Sequence, residues 1–370
     1  MQQIKRWVKE ETVLVISAVL ALCSMAVVPP DAQYLGYIDY KVLVLLFCLM
    51  IVVAGFRKMG FFTFLGKWLA RKASDTRSLT AVLVFLCFFT SMFITNDVAL
   101  LTFVPFAISL LQMTGQEKQM VRVIVLQTIA ANLGSMLTPI GNPQNLYLYS
   151  MAEMSIVEFL GFMAPISAVS LVLLLLVAWM TPNEAVELEE DAEEDAFRFG
   201  KMGILYTVLF FFSMATVAKI LPYQILLIIV AAAVFAADCS AFREPDYALL
   251  ATFVCFFIFI GNMQRIESVC SLLNQIITGR ELVTAIAASQ VISNVPTAVL
   301  LSGFTQQVRL LLYGTNIGGL GTLIASLASL ISYKFYAKVP MAETGKYMIC
   351  FTKWNLLFLI VLTALAWIML

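Results

Sequence analysis

The sequence contains no histidine and few charged residues. Without His among its 370 residues, the chain cannot use a His general base, a His metal ligand or a His proton relay. Charged residues make up only 12%, and 23 Lys+Arg balance 23 Asp+Glu, so no net field attracts a nucleic acid. The seven Cys include no CxxC pair, and we interpret them as small apolar side chains rather than as a metal or redox site.

Apolar residues are abundant instead, at 61% of the chain and a mean hydropathy of +0.93. Soluble domains are about 45–50% apolar, so the composition predicts an all-α polytopic membrane protein. Crossing about 30 Å of hydrocarbon takes about 20 apolar residues. Such runs predict about nine crossings, the first of them retained rather than cleaved, at 12–29, 38–56, 120–150, 156–180, 201–220, 222–238, 246–262, 307–333 and 346–369.

Two further apolar segments, 79–112 and 281–305, are each interrupted by a polar tip. The tips are Thr95-Asn96-Asp97 and Ser293-Asn294-Val295-Pro296-Thr297. Arms of about 15 residues reach about 22 Å as helix, which is too short to cross. We therefore predict two re-entrant hairpins, whose tips need protein or a water-filled cavity around them. The stretches 57–73 and 263–278 before them are predicted to be amphipathic helices in the interface.

The two halves of the chain resemble each other. Residues 131–149 and 315–333 both read as broken helices and share Asn132/Asn316, Gly134/Gly318, Thr138/Thr322, Ile140/Ile324, Leu146/Leu330 and Tyr149/Tyr333. The repeat predicts a first unit over 1–180, an acidic linker over 181–200, a connecting helix over 201–221 and a second unit over 222–370. Because the connecting helix adds one crossing, the second unit starts on the opposite side of the membrane. Inverted repeats with paired broken helices are typical of secondary transporters.

The distribution of Lys and Arg predicts the orientation. If each hairpin returns to its own side, 18 of these residues lie on the cytoplasmic side and 5 lie outside. This excess obeys the positive-inside rule when the N-terminus is cytoplasmic and the C-terminus is outside. We therefore expect a multi-pass protein of the cell inner membrane. The run 184–195, with eight carboxylates, is then a solvated cytoplasmic linker.

Four motifs carry a family resemblance: TNDVALLTFVPF (95–106), NLGSMLTPIGNPQN (132–145), SNVPTAVLL (293–301) and GTNIGGLGTLIASL (314–327). They resemble the ion transporter superfamily, which includes citrate and dicarboxylate symporters and the arsenite and sodium/proton antiporter branches. Relative to the dicarboxylate symporters, Asp97 replaces a Thr and the second loop lacks Pro. The resemblance implies a homodimer in which the hairpins and broken helices move as a transport unit against a scaffold of outer helices.

The polar breaks supply what a small anion needs at mid-membrane. Helix N-termini offer N–H groups and a positive dipole end, and amides and hydroxyls add hydrogen bonds. We predict substrate contacts from Thr95, Asn96, Asn142, Ser293, Asn294, Thr297 and Asn316. Side-chain oxygens and freed carbonyls can hold Na⁺, which predicts a coupling-ion site at Asn96, Asp97, Asn132, Gly134, Thr138, Asn294, Gly318 and Thr322. The alternative is that these polar residues only cap or join helices.

Asp97 is the acidic residue at the first tip. A carboxylate at mid-membrane is costly unless it is paired, protonated or bound to a cation. We therefore predict that Asp97 binds H⁺ or Na⁺ as the coupling ion, and we expect no other cofactor. The alternative role is a helix N-cap, which Asp favours.

Three functional hypotheses follow. The leading one is a cation-coupled secondary transporter of small organic anions, of the citrate or dicarboxylate kind, with the lipid bilayer and a second copy of the chain as partners. The second is efflux of arsenite-like oxyanions or Na⁺/H⁺ exchange, which Asp97 favours. The third is a membrane-embedded enzyme or binding protein, which would need a nucleophile–base pair or a metal cluster. The sequence offers neither, so we expect no enzyme.

Overall fold

The computed structural model describes residues 11–152, 154–186 and 200–370, and it confirms the all-α prediction. Most of the predicted acidic linker, 187–199, lies outside the described residues. In chain order the helices are α1 (Thr12–Val27), α2 (Tyr34–Tyr37), α3 (Tyr40–Lys58), α4 (Phe61–Ala70), α5 (Thr76–Ile94), α6 (Asn96–Met113), α7 (Met120–Ser135), α8 (Pro143–Met151), α9 (Ile156–Trp179), α10 (Lys201–Val217), α11 (Tyr223–Ala237), α12 (Tyr247–Gln264), α13 (Glu267–Ile277), α14 (Glu281–Ile292), α15 (Asn294–Ser302), α16 (Val308–Gly318), α17 (Leu327–Tyr336) and α18 (Thr344–Met369).

Six of these helices, α3, α5, α6, α9, α12 and α18, are long and apolar enough to cross a membrane by length and composition. Four shorter apolar helices, α1, α10, α11 and α14, accompany them. This pattern makes the chain a multi-pass membrane protein. The number of crossings, about nine, and the sides on which the termini lie stay predictions.

Both predicted broken helices are broken. The first run divides into α7 and α8, and the second into α16 and α17, with irregular backbone between the parts. In the first break, the side chain of Asn142 caps α8 by accepting a hydrogen bond from the backbone N–H of Asn145 at 2.9 Å. Pro143 opens α8, a position where its missing N–H costs no helical bond. The two amphipathic stretches are helical as well, as α4 and α13.

The first hairpin differs from its prediction in length. Its arms, α5 and α6, have 19 and 18 residues, about 28 Å each at 1.5 Å per residue. The expectation that they are too short to cross is therefore wrong. The physical reason is a capping box in which Asp75 and Ser78 bond each other's backbone N–H, so that α5 begins before the apolar run does. The second hairpin has the expected short arms, α14 and α15, of 12 and 9 residues.

The helices pack as two sets. In one set, α7 is buried along most of its length and packs on α5, α6, α9, α17 and α18, while α16 packs on α14, α15 and α8. In the other set, α1 packs on α12, and α10 and α11 pack on α3. The tips and breaks belong to the first set, which also includes the long helices α9 and α18.

Ion pairs link the halves at both ends of α3. At its C-terminal end, Lys58 lies 2.9 Å from Asp238. Beyond its N-terminal end, Arg265 lies 2.7 Å from Asp31 and donates a hydrogen bond to Tyr37 at 3.2 Å. Hydrogen bonds from Ser240 and Lys58 hold the pKa of Asp238 below its ordinary value. Each pair joins two residues that the predicted topology puts on the same side of the membrane.

Candidate functional site between two hairpin tips

The two tips have the same backbone geometry. Thr95 and Ser293 take positive φ angles of 69° and 74°, a region in which residues other than Gly are strained by about 1–3 kcal/mol. The next residue in each tip, Asn96 or Asn294, donates its backbone N–H to a carbonyl in a helix break, that of Gly141 at 3.1 Å or that of Ala325 at 3.0 Å. Each tip is thus tied to the broken helix of its own half.

The breaks approach the hairpins in matching ways. A Cβ on Gly134 would overlap the carbonyl of Phe88, and one on Gly318 would overlap the hydroxyl of Ser289, so only Gly allows this approach. Thr138 donates its hydroxyl to the carbonyl of Met92, and Thr322 donates to that of Gln290 at 3.0 Å. The two threonines that the sequence pairs therefore make the same contact in each half.

Side-chain amides join the two halves to each other. Asn132 accepts hydrogen bonds from Asn96 at 2.9 Å and from Ser326 at 3.0 Å. Asn142 donates to Asn316 at 3.0 Å, and Asn316 donates to Asn145 at 2.6 Å. These six side chains are buried. Of the predicted site residues, this network brings together Asn96, Asn132, Asn142 and Asn316.

Other predicted residues have local partners. Thr297 donates to the carbonyl of Ser293 at 2.7 Å, one turn back. The carbonyl of Gly134 already accepts the N–H of Leu137, and that of Gly318 accepts the amide of Gln290 at 2.8 Å. A carbonyl keeps a second lone pair, so a role in cation binding at these two glycines stays a prediction.

A cavity of about 480 Å³ reaches the first tip. Its walls come from α1, α3, α5, α6, α8, α12 and α17, and most of its lining is apolar. Thr95 and Asp97 lie at the tip end, whereas the partly exposed ion pair of Arg57 and Glu244, at 2.7 Å, lies in its wall. The cavity is therefore a path between the polar tip and one face of the molecule, the face that the sequence predicts to be cytoplasmic.

A second, much smaller space of about 10 Å³ lies between the two tips. Its lining includes Asn96, Asn294, Gln144 and Ser326, and its volume matches about one water-sized particle. Asp97, Pro143, Leu249 and Leu327 line both this inter-tip space and the cavity. Asp97 is the one ionisable residue among those four.

Asp97 does not cap its helix. Helix α6 begins at Asn96, the side chain of Asn96 accepts the N–H of Asp97 at 3.0 Å, and no side-chain cap bond comes from the preceding Thr95. The Oδ1 atom of Asp97 is buried and has no hydrogen-bond partner among the described residues. The Oε1 atom of Gln144 is in the same situation. Two buried oxygens are therefore left for a ligand, and the N-cap explanation of Asp97 is wrong.

Residues that line the cavity have buried counterparts in the other half of the chain. Matching the halves at their tips, breaks and helix caps pairs three cavity-lining residues with three others: Ile331 with Tyr147, Met50 with Phe257, and Leu101 with Val299. The second members are 7%, 5% and 0% exposed. The ring of Tyr147 packs at a tilt against that of Phe257, with centroids 5.6 Å apart, and its hydroxyl shares a hydrogen bond with Ser302 at 2.9 Å. These counterparts are therefore packed against other side chains, whereas the residues they match line a cavity.

The sequence analysis missed four polar residues of this site. Ser326 and Asn145 bond the predicted asparagines, Gln290 bonds the carbonyls of Gly318 and Leu320, and Gln144 lines the inter-tip space. A signal for one of them existed, because Ser326 is ten positions after Asn316 just as Asn142 is ten positions after Asn132. The residues at these matched positions, Asn142 and Ser326, differ, so a comparison that counts only identical residues does not detect the pair.

The fold and the site define a class: a helical multi-pass membrane protein with two polar hairpin tips packed against two broken helices. The sequence pattern of the citrate transporter family matches residues 6–309. The chain belongs to this family. Membership identifies it as a membrane transporter.

Individual relatives agree with this class. The chain is 31% identical over 302 residues to the inner membrane protein YbiR of Escherichia coli, covering 80% of each chain. It is 29% identical over 299 residues to the uncharacterized transporter MJ0456 of Methanocaldococcus jannaschii, covering 80% of this chain and 81% of the relative. It is also 30% identical over 170 residues to the silicon efflux transporter LSI3 of Oryza sativa subsp. japonica, covering 44% of this chain and 34% of the relative.

Proposed function

We propose that the protein is a cation-coupled secondary transporter of small anions across the inner membrane. The observation that carries the proposal is the position of Asp97, a carboxylate with an unpartnered buried oxygen between a solute-sized cavity and the inter-tip space. A bare carboxylate is stable at such a site only with a proton or a cation. Binding of that ion neutralises the charge of Asp97, and its release restores the charge, so the electrostatic environment of a solute in the cavity changes with the ion.

Movement between two faces is the second part of the proposal. The matched contacts of Thr138 and Thr322 and of the two tips support a structural repeat. Residues that line the open cavity match residues in the other half of the chain that are buried. If the two halves exchanged these conformations, the site would become accessible from the other side of the membrane. We propose that the repeats are inverted and that the open face is cytoplasmic.

We also propose that the protein is a homodimer. A monomeric mass in native detergent solution would overturn this oligomeric state.

The leading substrate class is a small organic anion of the citrate or dicarboxylate kind, and the family description supports it. The charges that line the cavity also favour the second candidate, arsenite-type oxyanion efflux or Na⁺/H⁺ exchange. Four acidic residues line it against two basic ones: Glu11, Asp97, Glu244 and Asp246 against Arg57 and Lys334. Arg57 is paired with Glu244. A multivalent anion would meet net negative charge there, whereas a neutral or weakly charged hydroxylated solute would not.

Reconstitution into proteoliposomes tests both candidates side by side. Uptake of citrate, succinate and arsenite is measured with imposed Na⁺ and pH gradients, and Na⁺/H⁺ exchange is measured without solute. We expect solute uptake that depends on one of the gradients. We expect the Asp97→Asn variant to fold, to bind solute weakly and to lose the gradient dependence, because Asn has the same shape but no charge. If transport by the Asp97→Asn variant still depended on the gradient as in the wild type, the coupling role of Asp97 would be overturned.

A further inference from the structure

The inter-tip space has the features of a site for a single small ion rather than for the solute. At about 10 Å³ it takes one water-sized particle, whereas the adjoining cavity measures about 480 Å³. Citrate or any other organic anion therefore fits only the cavity. The two spaces meet at Asp97, so an ion in one and a solute in the other would sit on either side of the same carboxylate.

The oxygens that line this space point to a cation. Gln144 is the second residue of α8 and is 1% exposed, and its Oε1 atom has no hydrogen-bond partner among the described residues. A buried amide oxygen without a donor is unfavourable, and so is the unpartnered Oδ1 of Asp97. Carboxylate and amide oxygens are the ligands that hard cations prefer, and Asp97 and Gln144 both line the inter-tip space.

We propose that the inter-tip space binds one dehydrated Na⁺ ion, with the Asp97 carboxylate and the Gln144 amide oxygen as its side-chain ligands. This inference rests on the proposed function, because it names the coupling ion and its second ligand. The bound ion neutralises Asp97 and lets an anion approach in the cavity. Loss of the ion restores the negative charge and expels the anion, which couples the two movements.

The site is tested with Na⁺ alone, by thermal unfolding of the purified full chain in detergent. NaCl is titrated against choline chloride at constant ionic strength, because a ligand that binds only the folded state raises the Tm. The tested variants are Gln144→Met and Asp97→Asn. Gln127→Met is the matched control, since Gln127 is also buried with an unpartnered Oε1 but bonds the carbonyls of Leu83 and Phe103 and lines neither space.

We expect Na⁺ to raise the Tm of the wild type and of Gln127→Met, and we expect that rise to disappear in Gln144→Met and Asp97→Asn. A Gln144→Glu variant, which keeps an oxygen at this position, should retain it and covers the case in which Gln144→Met fails to fold. An equal Na⁺ response in Gln144→Met and the wild type would overturn the role of Gln144. A wild type that transports solute on a pH gradient but shows no Na⁺ response would overturn the Na⁺ site and leave the proposed function standing.

Discussion

Asn132 accepts a hydrogen bond from Ser326, 194 positions later in the chain, at 3.0 Å. The reciprocal bond runs from Asn142 to Asn316, also at 3.0 Å. In each bond, the residue that precedes the second part of one broken helix contacts an asparagine in the first part of the other. The two halves are therefore joined at their breaks by a matched pair of hydrogen bonds.

The amide network should contribute measurably to stability. Replacing Asn316 by Leu removes the partner of Asn142 and of Asn145, and each buried group left unpaired costs about 1–3 kcal/mol. We expect the Tm of Asn316→Leu in detergent to fall clearly below that of Asn355→Leu. Asn355 is the control because it is equally buried but donates to Phe351 within its own helix. Equal losses in the two variants would contradict a special role for the network.

The tip asparagines should be needed for transport more than for folding. Asn96→Ala and Asn294→Ala each remove an amide that lines the inter-tip space and accepts the next backbone N–H of its tip. We expect each variant to reach near-normal abundance and to lose transport in proteoliposomes. Normal transport by both would mean that the tips are structural and that the site lies elsewhere.

Cysteine accessibility should differ between the two faces. Leu101 lines the open cavity and is 38% exposed, whereas its counterpart Val299 is fully buried. We expect a water-soluble thiol reagent to label Leu101→Cys quickly and Val299→Cys slowly, with the wild type as the background for native Cys. Adding Tyr147→Ala, which removes the ring packed on Phe257, should speed labelling at position 299. No acceleration would show that Tyr147 does not close this face.

The predicted topology can be tested from each side of the membrane. A cysteine placed in the acidic run 184–195 should react with an impermeant reagent only from the cytoplasm, and one placed at 263–280 should react only from outside. The reason is the predicted excess of Lys and Arg on the cytoplasmic side together with the single crossing predicted for the connecting helix between the units. Labelling of both positions from the same side would rule out inverted repeats.

The ion pair of Lys58 and Asp238 should make a small, pH-dependent contribution. The pKa of Asp238 is lowered in the folded protein by Ser240 and Lys58, so its stabilisation is complete above the ordinary Asp pKa of about 3.9. It is lost as the pH falls through the lower folded value. We expect Lys58→Met to cost up to about 1 kcal/mol at pH 7, and less below about pH 4. The surface variant Lys118→Met, measured by the same thermal unfolding series, should show no such pH dependence.

The sequence by itself determined the class of the fold and the places where it is broken. Long apolar runs with few charges exclude a soluble domain, and polar residues inside such runs indicate irregular backbone. The two tips, the two broken helices and the pairing of Asn132 with Asn316 could therefore be predicted. Helix ends were less accurate, because α5 begins at a capping box of polar residues, Asp75 and Ser78, that lies outside the apolar run.

Only the tertiary structure decided which polar groups meet. The contacts of Asn132 with Ser326 and of Asn142 with Asn316 join positions far apart in the chain, and their distances depend on how the helices pack. The same holds for the buried oxygens of Asp97 and Gln144, which have no hydrogen-bond partner within the described part of the chain. A sequence lists donors and acceptors, but whether a given one is satisfied depends on its neighbours in space. Packing therefore decided that Asp97 does not cap its helix and that its Oδ1 atom has no hydrogen-bond donor among the described residues.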